Sequence, residues 1–278
     1  MQANISKIRK QNLLLVGPYP PPFGGISNHL HELNIGLEKT AYESHVLDFC
    51  SSSEDFIKHG AKIFRRVASL RLRHLKILCT SYDKLAKIIF LVSLNVLKSP
   101  RLYLGSLIKA LIVVEMIDKN KINKTIIYET KKGALIPFVK ILRPKNSLFY
   151  CIFADPYKYP DYYKKHKSWF KRSVEATTKV FATSCYCADA YGNFTKTADP
   201  SVIYVGVDLE RFHEMDPSEA REKISISDRP TILFLGRMVA EMGAYNALEI
   251  AEIILSKDLD INFVIAGAEG DLTDEIKR

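Results

Sequence analysis

Two adjacent glycines, Gly24 and Gly25, stand between an apolar run and a helix start in LLLVGPYPPPFGGISNHLH (13–31). A residue without a Cβ lets backbone N–H groups come close to a ligand. A helix N-terminus directly behind such a pair favours negative charge, and a diphosphate suits that arrangement. Pro18, Pro20, Pro21 and Pro22 stiffen the loop, so it is pre-shaped. The plain alternative is a Pro/Gly turn that meets no ligand. The spacing is not G-x-G-x-x-G, so a dehydrogenase reading loses its main support.

The elements around this loop follow from apolar patterning. NLLLVG (12–17), SHVLDF (44–49), TIIYE (125–129), SLFYCIF (147–153), TKVFAT (178–183) and SVIYVG (201–206) read as strands. Helices are expected over 26–38, 60–78, 81–98, 102–119, 133–142 and 160–175, and from 184 onward. A polar connector covers 207–229. Beyond it come a strand at TILFLG (231–236), a helix over 243–255, a strand at INFVIAG (261–267) and a helix from Asp271. Strands alternating with helices predict an α/β fold whose parallel sheet is covered on both faces. The fresh β-α-β unit after the connector predicts a second domain of the same type, with only its first strands present in these 278 residues. In open sheets of this kind ligands bind beyond the carboxyl ends of the strands, where the loop 17–25 falls.

Composition narrows the class. The hydrophobic content of 47% allows a real core. The net charge is +9, and between Ile57 and Lys124 there are 15 Lys and Arg against 3 Asp and Glu. The basic excess therefore lies in one segment. Its apolar runs, at 88–97, 102–108 and 110–114, are broken by Lys98, Arg101 and Lys109. None reaches the roughly 18 apolar residues that span a bilayer. Two readings stay open: a basic amphipathic region on an anionic membrane surface, or core helices with solvated cationic faces. No recognisable nucleic-acid-binding motif accompanies the charge, so no nucleic acid partner is expected. Cys50, Cys79, Cys151, Cys185 and Cys187 lack the spacing of a zinc site and read as thiols. The run Leu13–Val16 is too short for a signal peptide.

The order LLLVGPYPPPFGGISNHL, VIYVGVDLERF, TILFLGRM…MGAYNALEIAEII and NFVIAGAEG resembles glycosyltransferase family four. The resemblance covers both ends of the chain and is weakest over 57–124. It implies a retaining enzyme of the GT-B class, with two Rossmann-like domains, the second incomplete. Residues 1–215 would form the acceptor-side domain with its basic helical segment 57–124, and 216–278 part of the donor-binding domain. Gly24, Gly25 and Arg237 match positions that hold the donor diphosphate. His29 matches the histidine of GG-x-x-x-H, and a polar residue lining the cleft is its bland alternative. Asp155 follows the strand SLFYCIF on the acceptor side. Gly206 and Asp208 match the segment that leads to the interdomain crossing. The resemblance implies no cofactor and no dedicated metal, with the nucleotide sugar as substrate. The partners it implies are a glycan or lipid-linked acceptor and an anionic membrane surface met through 57–124. The expected location is the cytoplasm, at the inner face of the membrane.

The departures from the family pattern are specific. Met242 stands before Gly243 where the family has a lysine, and a thioether does not replace a point charge on phosphate. Ala154 stands where a histidine precedes the aspartate, and Val205 where an asparagine precedes Gly206. The E-x7-E donor motif would lie beyond residue 278. Two functions follow: a sugar transferase, or a catalytically silent GT-B-like scaffold. A nucleotide-sugar epimerase is a weaker third.

Overall fold

The computed structural model describes residues 11–20, 24–49, 55–58, 61–65, 74, 77, 81–93, 99–128, 134–153, 160–195, 199–267 and 272–273. The chain divides into two compact units, Met1–Gly206 and Val207–Arg278. The division falls earlier than the boundary expected at 215/216.

The first unit is built on one sheet. Its strands are β1 (Gln11–Val16), β2 (Tyr42–Asp48), β3 (Asp55–Lys58), β4 (Ala61–Arg65), β5 (Lys124–Tyr128), β6 (Ser147–Ile152), β7 (Lys179–Ala182) and β8 (Ser201–Val202). Their order across the sheet is β3-β4-β2-β1-β5-β6-β7-β8. All neighbours pair in parallel except β3 and β4, an antiparallel pair at one edge. From β1 the chain winds outward to β2. From β5 it winds outward the other way, so the topological switch point lies between β1 and β5.

Six described helices accompany this sheet: α1 (Gly25–Glu38), α2 (Tyr82–Ser93), α3 (Pro100–Lys119), α4 (Ile136–Leu142), α5 (Pro160–Glu175) and α6 (Cys185–Thr195). Because strand side chains alternate between faces, β1 feeds two cores. Leu13 and Leu15 pack with Leu30 of α1, Val46 and Tyr128. Leu14 and Val16 pack on the other face with Val113 of α3, Phe138 of α4 and Trp169 of α5. Trp169 is fully buried and donates its indole N–H to the Ala134 carbonyl at 2.9 Å. Its ring meets Tyr103 edge-on at 4.6 Å, the offset geometry aromatic quadrupoles favour.

The basic segment divides into unlike parts. Residues 61–65, expected to start a helix, form β4 instead. The run of lysines and arginines among apolar residues imitates a helical period, and pairing beside β2, His45 to Lys62 onward, decides the outcome. α3 follows Ser99 with proline in its first turn and has Ala110–Val114 buried, so its apolar face serves the core. α2 behaves differently. Ile88 is buried, while Tyr82, Ile89 and Phe90 are 88%, 58% and 63% exposed. No described helix is long and apolar enough to cross a membrane. The strand expected over 201–206 shortens to β8. Ile203 donates one more bond to Ala182, and Tyr204 and Val205 then stand exposed.

In the second unit, β9 (Thr231–Leu235) and β10 (Asn262–Ala266) pair in parallel, with α7 (Pro217–Lys223) before them and α8 (Ala244–Ser256) between them. α7 falls inside the stretch expected as a connector. Its start is fixed by Asp216, whose carboxylate accepts from the Ser218 and Glu219 amides. The helix expected from Asp271 is described only at Leu272 and Thr273.

Candidate functional site

Gly17 ends β1 at the switch point and is held there. A Cβ on it would lie 3.1 Å from the Tyr128 Cβ and 3.5 Å from Leu30 Cδ2. Its missing side chain is therefore what lets α1 and β5 close on the strand. Tyr19 anchors the loop that follows. It is buried, takes a 3.3 Å bond from its own amide to the Asp48 carboxylate, and pairs its hydroxyl with His31 Nδ1 at 2.9 Å. Asn34 lies 3.5 Å from the same hydroxyl and accepts from Ser44 at 2.8 Å. These bonds explain why polar Asn34 and Ser44 are buried where apolar residues would be expected.

Gly24 and Gly25 are not required by the chain itself. Gly24 has φ −174°, extended backbone that any residue adopts. A Cβ on Gly24 would meet only Ser27 Oγ, at 3.8 Å, and one on Gly25 would meet nothing within 4 Å. Open space thus lies over the first turn of α1. Among the described residues no side chain caps that turn, and no acidic residue stands in it. The first-turn amides of such a helix lack intrahelical acceptors and carry the positive end of the macrodipole. Among the described residues no side chain stands over the pair.

His29 sits one turn further along α1. Its ring lies 5.7 Å from Tyr128, the last residue of β5, and 5.2 Å from Phe153, just after β6. The imidazole therefore reaches over the carboxyl ends of the strands beside the switch point. It has no hydrogen bond to any described residue. Burial lowers its pKa below the ordinary value, so the neutral form prevails at pH 7 and offers one donor and one acceptor. Cys151 of β6 has its thiol pushed up to about 12 by burial and is not a thiolate. Asp155 and Ala154 lie outside the described residues.

The second unit presents its own carboxyl-end rim. Gly236 ends β9 and donates to Ala266 at 3.0 Å. Gly267 follows β10 with φ +149°, and a Cβ on it would lie 1.8 Å from the Gly236 carbonyl oxygen, so the two backbones touch. Arg237 comes next. Its guanidinium is exposed and bonds no described residue. Gly243 adopts φ +81° and starts α8, again with no side-chain cap. Met242, beside it, is 53% exposed. An unengaged cation and an uncapped helix N-terminus thus belong to one short β-α unit. Among the described residues no group of three or more His, Cys, Asp or Glu could hold a metal ion.

Gly206 and Asp208 are exposed, at the end of the first unit and the start of the second. The Asp208 carboxylate accepts from the Glu210 amide at 2.9 Å and the Arg211 amide at 3.3 Å, so it closes a local turn. The structure thus gathers Gly24, Gly25 and His29 on α1 of one unit and leaves Arg237 on the other. Sequence reasoning missed the Tyr19–His31–Asn34 set that fixes the loop. Its only signal is a tyrosine among prolines, followed by His31 and Asn34 at helical spacing.

No family model matches the chain, and no curated protein matches it. Solved structures do. Sucrose-phosphate synthase from Thermosynechococcus elongatus matches with TM-score 0.62 at 13% identity, over 93% of this chain and 71% of that one. An α,α-trehalose-phosphate synthase (UDP-forming) from Burkholderia xenovorans, in complex with glucose-6-phosphate, matches with TM-score 0.61 at 8% identity, over 95% and 67%. Anabaena HepE, in complex with UDP and glucose, matches with TM-score 0.60 at 12% identity, over 96% and 64%. The chain thus spans about two thirds of the length of these structures. All are GT-B glycosyltransferases, and likeness at such low identity speaks for architecture. The fold is α/β, Rossmann-like and of the GT-B type.

Proposed function

We propose that this chain belongs to glycosyltransferase family four and moves a sugar, with retention, from a nucleotide-diphosphate donor to a glycan or lipid-linked acceptor in envelope polysaccharide or glycolipid synthesis. The observation that carries the reading is the open glycine pair at a helix start that no described side chain caps, with a neutral His29 that bonds no described residue one turn on. Backbone amides at Gly24 and Gly25 would hold the diphosphate from one unit. Arg237 would hold it from the other, its planar fork matching phosphate oxygens and neutralising charge that develops on the leaving group. His29 and Asp155 would line the acceptor side and orient the reacting hydroxyl. Gly206 and Asp208 would carry the chain between the two walls. Rate would come from positioning and from stabilising the departing diphosphate. The structures solved with UDP and glucose or with glucose-6-phosphate support a nucleotide sugar and a sugar acceptor.

The exposed apolar face of α2 supports a peripheral site of action at the cytoplasmic face of a membrane, with Lys87 at its flank. A silent scaffold is the second reading, and Met242 at the position of the family's lysine favours it.

The test is binding and transfer across a panel of nucleotide sugars, with Arg237→Ala as the variant. The Arg237 guanidinium is exposed and bonds no described residue, so its loss should leave Tm unchanged. Losing a charge-assisted contact worth about 1.5–3 kcal/mol should weaken donor binding about tenfold or more. Binding without turnover, with turnover gained in Met242→Lys, would favour the silent scaffold. No nucleotide-sugar binding at all would reject the enzyme reading.

A further inference from the structure

A second polar feature lies at the other end of the main sheet. The residues just before β5 and β6 open on a cavity of about 440 Å³. Strands β1, β5 and β6 run in parallel, so this cavity is at their amino ends and the glycine loop at the carboxyl ends. Ile117, Ile122 and Leu142 form an apolar floor, and Lys84, Arg143 and Lys145 bring three cations to its lining. No described lining residue is acidic.

The three cations are not equally engaged. Arg143 is tied to Asp118, with Nε 2.6 Å from Oδ1. Lys84 donates one proton to the Leu142 carbonyl at 3.1 Å, which leaves two on its ammonium group. Lys145 bonds no described residue. The inner wall adds an unmet acceptor. Asn146 is buried and donates through Nδ2 to the Ile122 carbonyl at 3.0 Å, while its Oδ1 has no donor. That oxygen is closed off from the cavity, so the cations and the floor define what the cavity admits. Cations above an apolar floor select an amphiphilic anion.

We propose that this cavity binds a phosphate monoester carried on an apolar body, a site separate from the glycine loop. Lys84 and Lys145 take the phosphate, and the floor takes the body. The chemistry is the same for a lipid phosphate and for a soluble ester. Hexyl phosphate is the probe, titrated calorimetrically into the full chain, with hexanol and inorganic phosphate as halves of the ligand. Hexyl phosphate should bind once per chain and more tightly than either half. Lys145→Ala should weaken it about tenfold or more, and Lys145→Arg should retain it. Lys145 is an exposed turn residue, so folding should be unaffected, as circular dichroism would report. Excess UDP should not displace the probe. Competition by vesicles containing phosphatidic acid would place the ligand in a lipid, and no competition would place it among soluble esters. The proposal is overturned if hexyl phosphate does not bind, if Lys84→Ala and Lys145→Ala both bind it unchanged, or if UDP displaces it.

Discussion

Replacing Gly24 and Gly25 with alanine should separate stability from ligand binding. A Cβ at Gly25 meets nothing within 4 Å, and one at Gly24 meets only a serine hydroxyl at 3.8 Å. Neither substitution strains the backbone; alanine at Gly25 removes freedom from the unfolded chain, a gain of about 0.4–1 kcal/mol, and at Gly24 that gain is offset because alanine is a poorer N-cap than glycine by about 1 kcal/mol. For a chain of this size about 1 kcal/mol corresponds to roughly 2–4 °C in Tm, so Tm should hold or rise. The methyl groups would nonetheless fill the space through which a diphosphate approaches the first-turn amides. Loss of one or two charge-assisted bonds, about 1.5–3 kcal/mol each, predicts donor affinity lower by about tenfold to a thousandfold or more. Gly17→Ala is the control. Its Cβ would lie 3.1 Å from Tyr128 Cβ, so overpacking should cost about 1–3 kcal/mol and lower Tm. Thermal melts with and without the best-bound nucleotide sugar, together with calorimetry, read both quantities. If the double alanine variant binds donor as tightly as wild type, the glycine pair is an ordinary turn. If it loses as much Tm as Gly17→Ala, the space over α1 is not open.

Two further outcomes are expected. Burial depresses the His29 pKa, so the folded state binds fewer protons than the unfolded state below the ordinary imidazole value of about 6.5. Its contribution is present above about 6.5 and lost as pH falls through the lowered folded value. His29→Gln should flatten that part of the Tm-against-pH curve relative to wild type, and an identical slope would refute it. Trp169→Ala removes a fully buried indole that packs on Tyr103 and bonds Ala134. It should cost about 3–5 kcal/mol in denaturant unfolding, and a loss below about 1 kcal/mol would show the core closing over the gap.

The central sheet was legible because buried parallel strands are short apolar runs, and LLLV, TIIY and LFYCI stand out between helices. β4 was not legible. Its residues carry as many charges as a solvated helix, and only the neighbouring backbone of β2 makes them a strand. The short stay of Ser201–Val202 in the sheet was hidden for the opposite reason, since apolar residues continue past the last pairing. At the site, glycine and arginine spacing located the groups that could meet a phosphate. Spacing did not reveal that Gly17, and not the glycine pair, is the glycine demanded by packing. That distinction depends on where Tyr128 and Leu30 come to rest. Nor could it reveal that the Asp208 carboxylate is occupied by its own turn.

The order of the main sheet also bears on the ribosome. β1 finds β2 within a few dozen residues, but its other neighbour, β5, ends only at Tyr128. This strand, with the glycine loop at its tip, therefore keeps one edge unpaired while the whole basic segment is synthesised. An open apolar edge is a template for pairing with another chain. The cationic stretch that follows gives the nascent chain a like-charged tail, which repels neighbouring copies over the interval when that edge is open. The charge of residues 57–124 thus lies on the stretch made while that edge is open.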